Sequence, residues 1–145
     1  MKVKDVMRSS VVTLHESDSM NVADDVMSMG RIRHLPVVDS QRRVVGIVTQ
    51  RDLYKAAISS VLGFNPSKER EWLGQIRVTD VMTKEVTMID PEAGVVSAVD
   101  KMVTDKIGSL PVVKDEKLVG LLTETDCLRC FRDLLKMGTF KDLLS

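Results

Sequence analysis

Aromatic residues are scarce: one Trp, one Tyr and three Phe among 145 residues. A core built without them has to be aliphatic, and Val, Leu, Ile and nine Met supply it. Only two cysteines are present, too few for a disulfide framework and in keeping with a reducing compartment. Long apolar stretches are missing as well. Val44-Val45-Gly46-Ile47-Val48 is as long as any run, far short of the ~18 residues a membrane span requires, so no membrane insertion is expected. The opening Met1-Lys2-Val3-Lys4-Asp5 lacks the apolar heart of a signal peptide, and a cytoplasmic location is expected. Neither charge is in excess, with 21 Lys plus Arg against 21 Asp plus Glu, which argues against a nucleic-acid partner. His15 and His34 are the only histidines, and neither has the spacing of a metal ligand or of a nucleophile's base. No Gly-rich phosphate loop of the Walker or dinucleotide type occurs.

What is present is an internal repeat. Val3-x-Asp5-Val6-Met7 returns as Val78-x-Asp80-Val81-Met82, an offset of 75. Val12-Thr13 returns as Val86-Thr87, and Ala23 and Met27 return as Ala98 and Met102. Ile32-x-x-Leu35-Pro36-Val37-Val38 returns as Ile107-x-x-Leu110-Pro111-Val112-Val113 at 75, and Val45-Gly46-x-x-Thr49-x-x-Asp52 as Val119-Gly120-x-x-Thr123-x-x-Asp126 at 74. Blocks recurring in the same order define a tandem duplication: repeat 1 over 1–63, a connecting segment over 64–77, repeat 2 over 78–138 and a tail over 139–145.

Each repeat reads alike. After an extended Val11–Leu14, or Val86–Ile89, Ser19 or Gly94 is placed to cap a helix whose buried stripe is Met20, Ala23 and Met27, or Val95, Ala98 and Met102. Gly30 is expected to end the first of these helices as a C-cap with positive φ. A β-hairpin follows in each copy: Leu35–Val38 and Val44–Thr49 around a turn at 39–43, then Leu110–Val113 and Leu118–Thr123 around a turn at 114–117. Thr49 and Thr123 each open a further helix. One carries Leu53, Ala57 and Val61 on a shared face, with Gly63 and Pro66 as its stop; the other carries Cys127, Phe131, Leu134 and Leu135, with Gly138 after its last turn. A short helix after Ser67 carries Trp72.

Cys127-x-x-Cys130 has redox or zinc spacing, but it falls past the first turn of a helix and has no second pair. Core packing is the expectation. The informative segments are Gly46-Ile47-Val48-Thr49-Gln50-Arg51-Asp52 and Gly120-Leu121-Leu122-Thr123-Glu124-Thr125-Asp126. Each sets a hydroxyl and a carboxylate at a strand-to-helix junction. One reading is a capping box. The other is a ligand site, in which an ionised Asp accepts from vicinal ribose hydroxyls and a helix N-terminus meets an anion. The glycines either let a ligand approach the backbone or mark a bend.

These motifs resemble those of paired cystathionine-β-synthase (CBS) domains over nearly all of residues 1 to 135. The quoted segments are Asp5-Val6-Met7, Ile32 to Asp39 and Val45 to Leu53, and in the second copy Asp80 to Thr83, Leu110 to Val113 and Gly120 to Asp126. The resemblance implies an α/β (α+β) fold of two pseudo-symmetric β-α-β-β-α repeats packed sheet to sheet, a Bateman module. It implies a regulatory ligand containing adenosine, such as AMP, ADP, ATP or S-adenosylmethionine, held in clefts between the repeats. It implies no catalysis and no cofactor, a homodimer, and signalling to a regulated partner protein that the sequence does not identify. Carried over residue by residue, Asp52 and Asp126 grip ribose, with Thr49 and Thr123 on ribose or phosphate. Val12, Thr13, Val86 and Thr87 meet the adenine edge, and Ile32, Pro36, Ile107 and Pro111 wall the base. Arg33, His34 and Arg51 neutralise phosphate. Gly108, Ser109 and Thr125 stand at the corresponding places in repeat 2, so the two sites are chemically unequal. The rival readings are an assembly scaffold of the same fold and an S-adenosylmethionine sensor.

Overall fold

The computed structural model describes residues 1–58 and 66–138. The expected helix positions Val61 and Gly63, and the tail over 139–145, lie outside the described residues. A single 3-10 turn over Val3–Asp5 comes first. The first repeat then gives β1 (Leu14–His15), α1 (Met20–Gly30), β2 (His34–Val38), β3 (Val44–Thr49) and α2 (Gln50–Ile58). After it come α3 (Pro66–Gln75), α4 (Val78–Val81), α5 (Val95–Asp105), β4 (Ser109–Lys114), β5 (Lys117–Thr123) and α6 (Glu124–Lys136). This is the mixed α/β architecture that the resemblance implies. In the first sheet β1 lies parallel to β2, with Leu14 opposite Val37, and β2 runs antiparallel to β3, with His34 opposite Thr49. In the second, β4 pairs with β5, and a single parallel bridge from Ile89 to Val112 stands where β1 stands in the first.

The repeats in the sequence and the units of packing divide the chain differently. The described residues of 12–86 and 116–118 form one compact unit, and those of 1–11, 87–115 and 119–138 form the other. Each unit therefore takes its opening turn from the other repeat. Val78 sits fully buried in a core with Leu14, Met20, Leu35, Val37, Val48 and Leu53. Its counterpart Val3 is fully buried with Ile89, Met102, Leu110, Val112 and Leu122. Burying each valine removes it from water at a gain of roughly 1.5–3 kcal/mol.

The methionine after each valine explains the glycines. A Cβ on Gly46 would stand 2.3 Å from Met82 Sδ, and one on Gly120 would stand 2.4 Å from Met7 Sδ. The missing side chain on the strand makes room for a thioether from the Asp-Val-Met segment, so the close approach inferred at these glycines is made by methionine.

Several expectations need correction. Gly30 is the last residue of α1, and the left-handed residue is Arg31 (φ 50), as Lys106 (φ 54) is after α5. Gly30 is small for a packing reason, because a Cβ there would come within 2.8 Å of Ile32 Cδ1. Ser19 does stand at the N-cap of α1, but its hydroxyl turns to Asn21 Oδ1 instead of a helix amide. Pro66 is the first described residue of α3, and where the helix opened at Thr49 stops lies outside the described residues. The buried face of α2 runs through Leu53 and Ala56, with Ala57 only half-buried. On α6 Asp126 is buried, and Cys130 and Leu134 follow at four-residue steps, half-buried, which turns Phe131 out to 53% exposure.

The β4–β5 hairpin closes through Asp115 (φ 50) and Glu116 (φ 65). Two successive left-handed residues suit Asn-Gly far better than Asp-Glu. Substituting Asp115→Asn together with Glu116→Gly is expected to raise stability by about 1 kcal/mol, read as a higher denaturant midpoint at unchanged slope.

Candidate functional site

The candidate residues converge at one end of each sheet. In the unit built on β1–β3, the Arg33 carbonyl accepts from the Gln50 amide at 2.9 Å, and His34 lies opposite Thr49. The parallel register of β1 on β2 brings Val12 and Thr13 beside the same end. Arg33, Arg51 and Val12 are exposed, Thr13, Ile32 and His34 are half-buried, and Pro36 is buried. The second unit repeats the plan. The Gly108 carbonyl accepts from the Glu124 amide at 3.0 Å, and the Ile89 amide donates to the Pro111 carbonyl at 3.1 Å, which carries Thr87 to that end. Ile107 and Thr123 are half-buried there, Pro111 and Ser109 are buried, and Thr125 is exposed. Val86 closes the 12–86 segment of the unit that holds repeat 1's sheet.

Both Thr-x-x-Asp segments form capping boxes. Asp52 Oδ2 accepts from the Thr49 amide (2.8 Å) and from Thr49 Oγ1 (3.0 Å), and Thr49 Oγ1 accepts in turn from the Asp52 amide (3.2 Å). In the second copy the same three bonds measure 3.0, 2.7 and 3.2 Å. Of the four amides that open each helix, the cap and third are taken by this box and the first by the Arg33 or Gly108 carbonyl. The second, on Arg51 or Thr125, is not consumed by these bonds. The capping reading is thus realised, and it uses only one oxygen of each carboxylate.

The other oxygen separates the copies. Asp126 is 3% exposed, and its Oδ1 accepts from Arg8 Nε at 3.0 Å and from Arg129 Nη1 at 3.3 Å. Asp52 is half-buried and, among the described residues, makes only its capping bonds. Sequence reasoning missed Arg8 and Arg129. The signal was available, because Thr83 corresponds to Arg8 at the offset of 75 and Lys55 to Arg129 at 74.

Both cysteines are free thiols. Cys127 packs against the core of the second unit, and burial pushes its thiol above the ordinary range, with the nearby Asp126 charge adding to the effect. Cys130 lies 3.3 Å from Met1 Sδ. A thiol held protonated reacts slowly, so Ellman's reagent is expected to modify native Cys127 far more slowly than the unfolded chain. Complete modification within seconds would contradict that. Among the described residues no group of three or more His, Cys, Asp and Glu is arranged to hold a metal. Nor, among them, is any helix long and apolar enough to cross a membrane.

A duplicated strand–helix junction, built the same way in both repeats, defines a class of paired modules. The CBS domain model matches residues 3–59 and 78–133, and the chain belongs to the CBS domain family. A CBS domain-containing protein of Dictyostelium discoideum is 33% identical over 127 residues, spanning 87% of this chain and 88% of that protein. The homoserine O-acetyltransferase of Methanohalobium evestigatum is 30% identical over 132 residues, which is 90% of this chain but 24% of the enzyme. The chain thus spans about a quarter of the length of that relative. Among solved structures, a Vibrio cholerae protein ascribed to acetoin utilization (AcuB) superposes with a TM-score of 0.80 at 34% identity, covering 96% of each chain. The CBS domain pair of protein MJ0100, in complex with 5′-methylthioadenosine and S-adenosyl-L-methionine, gives 0.77 at 28%, covering 92% of this chain and 97% of that one. CBSX2 in complex with AMP gives 0.78 at 25%, with the same coverage.

Proposed function

We propose that this chain is a regulatory module that binds an adenosine-containing ligand, AMP or ATP foremost, and signals its occupancy to a partner protein without catalysing a reaction. The observation that carries this reading is the oxygen of Asp52 that no described residue engages. Its Oδ2 holds the helix cap and leaves Oδ1 to accept from the vicinal hydroxyls of a ribose, with Thr49 alongside. Arg33, His34 and Arg51 stand at the same end of the sheet, where forked guanidinium bonds suit phosphate, and Ile32 and Pro36 offer apolar surface to a base. In the second copy Thr123, Thr125, Asp126, Ile107, Gly108 and Pro111 are the corresponding set. The complexes of MJ0100 and CBSX2 support adenosine as the shared ligand element. Because MJ0100 was crystallised with S-adenosyl-L-methionine, a sensor of that sulfonium compound is the second reading.

Mass spectrometry of small molecules released from the purified, heat-denatured protein tests the reading. An adenosine compound in stoichiometric amount is expected. A melting panel of AMP, ADP, ATP and S-adenosylmethionine, with GMP as control, then separates the two ligand classes, and no shift with any of them leaves only the assembly scaffold. Regulation works by population shift, the ligand favouring the arrangement it fits better and the partner reading that arrangement.

The module is also proposed to act as a homodimer. Tyr54 and Ile58 on α2 are 55% and 66% exposed, and Leu128 on α6 is 66% exposed. Apolar side chains this open on the repeat-ending helix of each unit suit surfaces that a second copy covers. Light scattering at tens of micromolar protein is expected to return twice the chain mass; the mass of one chain would exclude the dimer.

A further inference from the structure

We infer that Arg8 sets the ligand stoichiometry of this protein by holding the Asp126 carboxylate closed to ribose while that of Asp52 stays open; the inference rests on the ribose-binding reading above. A carboxylate has about four lone-pair positions. Asp126 fills its set with the Thr123 amide and Thr123 Oγ1 on Oδ2, and with Arg8 and Arg129 on Oδ1. Among the described residues, Asp52 accepts only the first pair of these bonds. Its two remaining positions match the two donors of a vicinal diol.

Two positions of the repeat differ here, Arg129 against Lys55 and Arg8 against Thr83, and the shorter bond to Asp126 Oδ1 comes from Arg8. The backbone of Arg8 exchanges bonds with Leu121 at 2.9 and 3.0 Å, and that of Thr83 exchanges bonds with Ile47 at 2.9 and 3.0 Å. Both residues therefore leave corresponding places on corresponding strands. From there the arginine reaches the carboxylate of its own unit, whereas a threonine is too short to do so. The Asp126 side chain is 2% exposed and that of Arg8 54%, so the guanidinium covers the carboxylate from the solvent side. A ribose arriving at Asp126 has to remove a charge-assisted bond to a buried carboxylate and replace it with neutral hydroxyl donors. At Asp52 it displaces solvent and no bond from a described residue.

Calorimetric titration with adenosine, which carries a ribose and no phosphate, reads this directly. Wild type is expected to bind one equivalent per chain. Arg8→Thr, which copies the other repeat at that position and leaves Oδ1 only the longer Arg129 bond of 3.3 Å, is expected to bind two, and Thr83→Arg none. One equivalent in Arg8→Thr, or two equal sites in wild type, overturns the inference and leaves the functional reading intact. AMP binding without adenosine binding in every variant does the same. If Arg8→Thr fails to fold, Thr83→Arg decides: loss of the wild-type site supports the inference and its retention overturns it. Absence of binding by adenosine, AMP and S-adenosylmethionine alike in all three proteins sinks the functional reading, and the inference with it.

Discussion

Gly120→Ala is expected to lower stability by about 1–3 kcal/mol, and Gly46→Ala by less. Both substitutions push a methyl group into a methionine, but the surroundings differ. At Gly46 the near atoms are all on the Met82 side chain: Sδ at 2.3 Å, Cγ at 2.7 Å and Cβ at 3.1 Å. At Gly120 the Met7 side chain stands at 2.4 Å, and the Arg8 carbonyl oxygen, which is backbone, stands at 3.0 Å. A thioether turns aside at modest cost because it has three rotatable bonds. The carbonyl belongs to the backbone pair between Arg8 and Leu121 and moves only with the opening segment as a whole. Double mutants separate the two causes. Once Met82→Ala is in place, Gly46→Ala is expected to cost clearly less, the one close atom left being the side-chain Cβ of residue 82 at 3.1 Å. On a Met7→Ala background Gly120→Ala is still expected to destabilise, because the carbonyl remains. For a chain of this size the Gly120→Ala drop corresponds to a melting decrease of roughly 3 to 10 °C. Equal costs at both glycines on both backgrounds would show that the methionine contacts do not hold the opening segments in place.

The repeat, the hairpins, the buried stripe of α1 and the capping boxes were legible because each is local. Residues three or four apart on a helix, or two short apolar runs around a polar turn, declare themselves within a window of a dozen residues. The recurrence of Asp-Val-Met and of Gly was equally visible, but its meaning was not. Met7 and Gly120 are far apart in sequence and meet only because the turn at Val3–Asp5 packs with the strands of repeat 2. The same holds for Arg8 and Asp126. The substitution of Thr83 for Arg8 between copies was readable as a difference, while the carboxylate it addresses depends on tertiary packing. Gly30 was misread for a related reason. Glycine at a helix end most often serves a positive φ, yet here an arginine takes that φ and Ile32 needs the space.

Asp52→Ala is expected to abolish the ligand-dependent melting shift, and Asp126→Ala to leave it nearly whole. Ligand at 100 times its dissociation constant adds ~2.7 kcal/mol for one occupied site. In a chain of this length that is a shift on the order of 5 to 10 °C. Each substitution also removes a helix cap, at a cost of ~1 kcal/mol. Baseline melting temperatures therefore fall in both variants and do not discriminate. Asp126→Ala is expected to fall further, because Arg8 and Arg129 lose a buried acceptor as well. Their side chains are about half exposed, which limits that extra loss through solvent screening. The discriminating quantity is the shift produced by AMP or ATP within each variant. A 2′,3′-dideoxy analogue provides the chemical counterpart: without the vicinal hydroxyls it is expected to stabilise wild type no better than it stabilises Asp52→Ala. If Asp52→Ala retains the full wild-type shift, its carboxylate serves the helix alone, and the ligand, wherever it binds, is not held through its ribose by this residue.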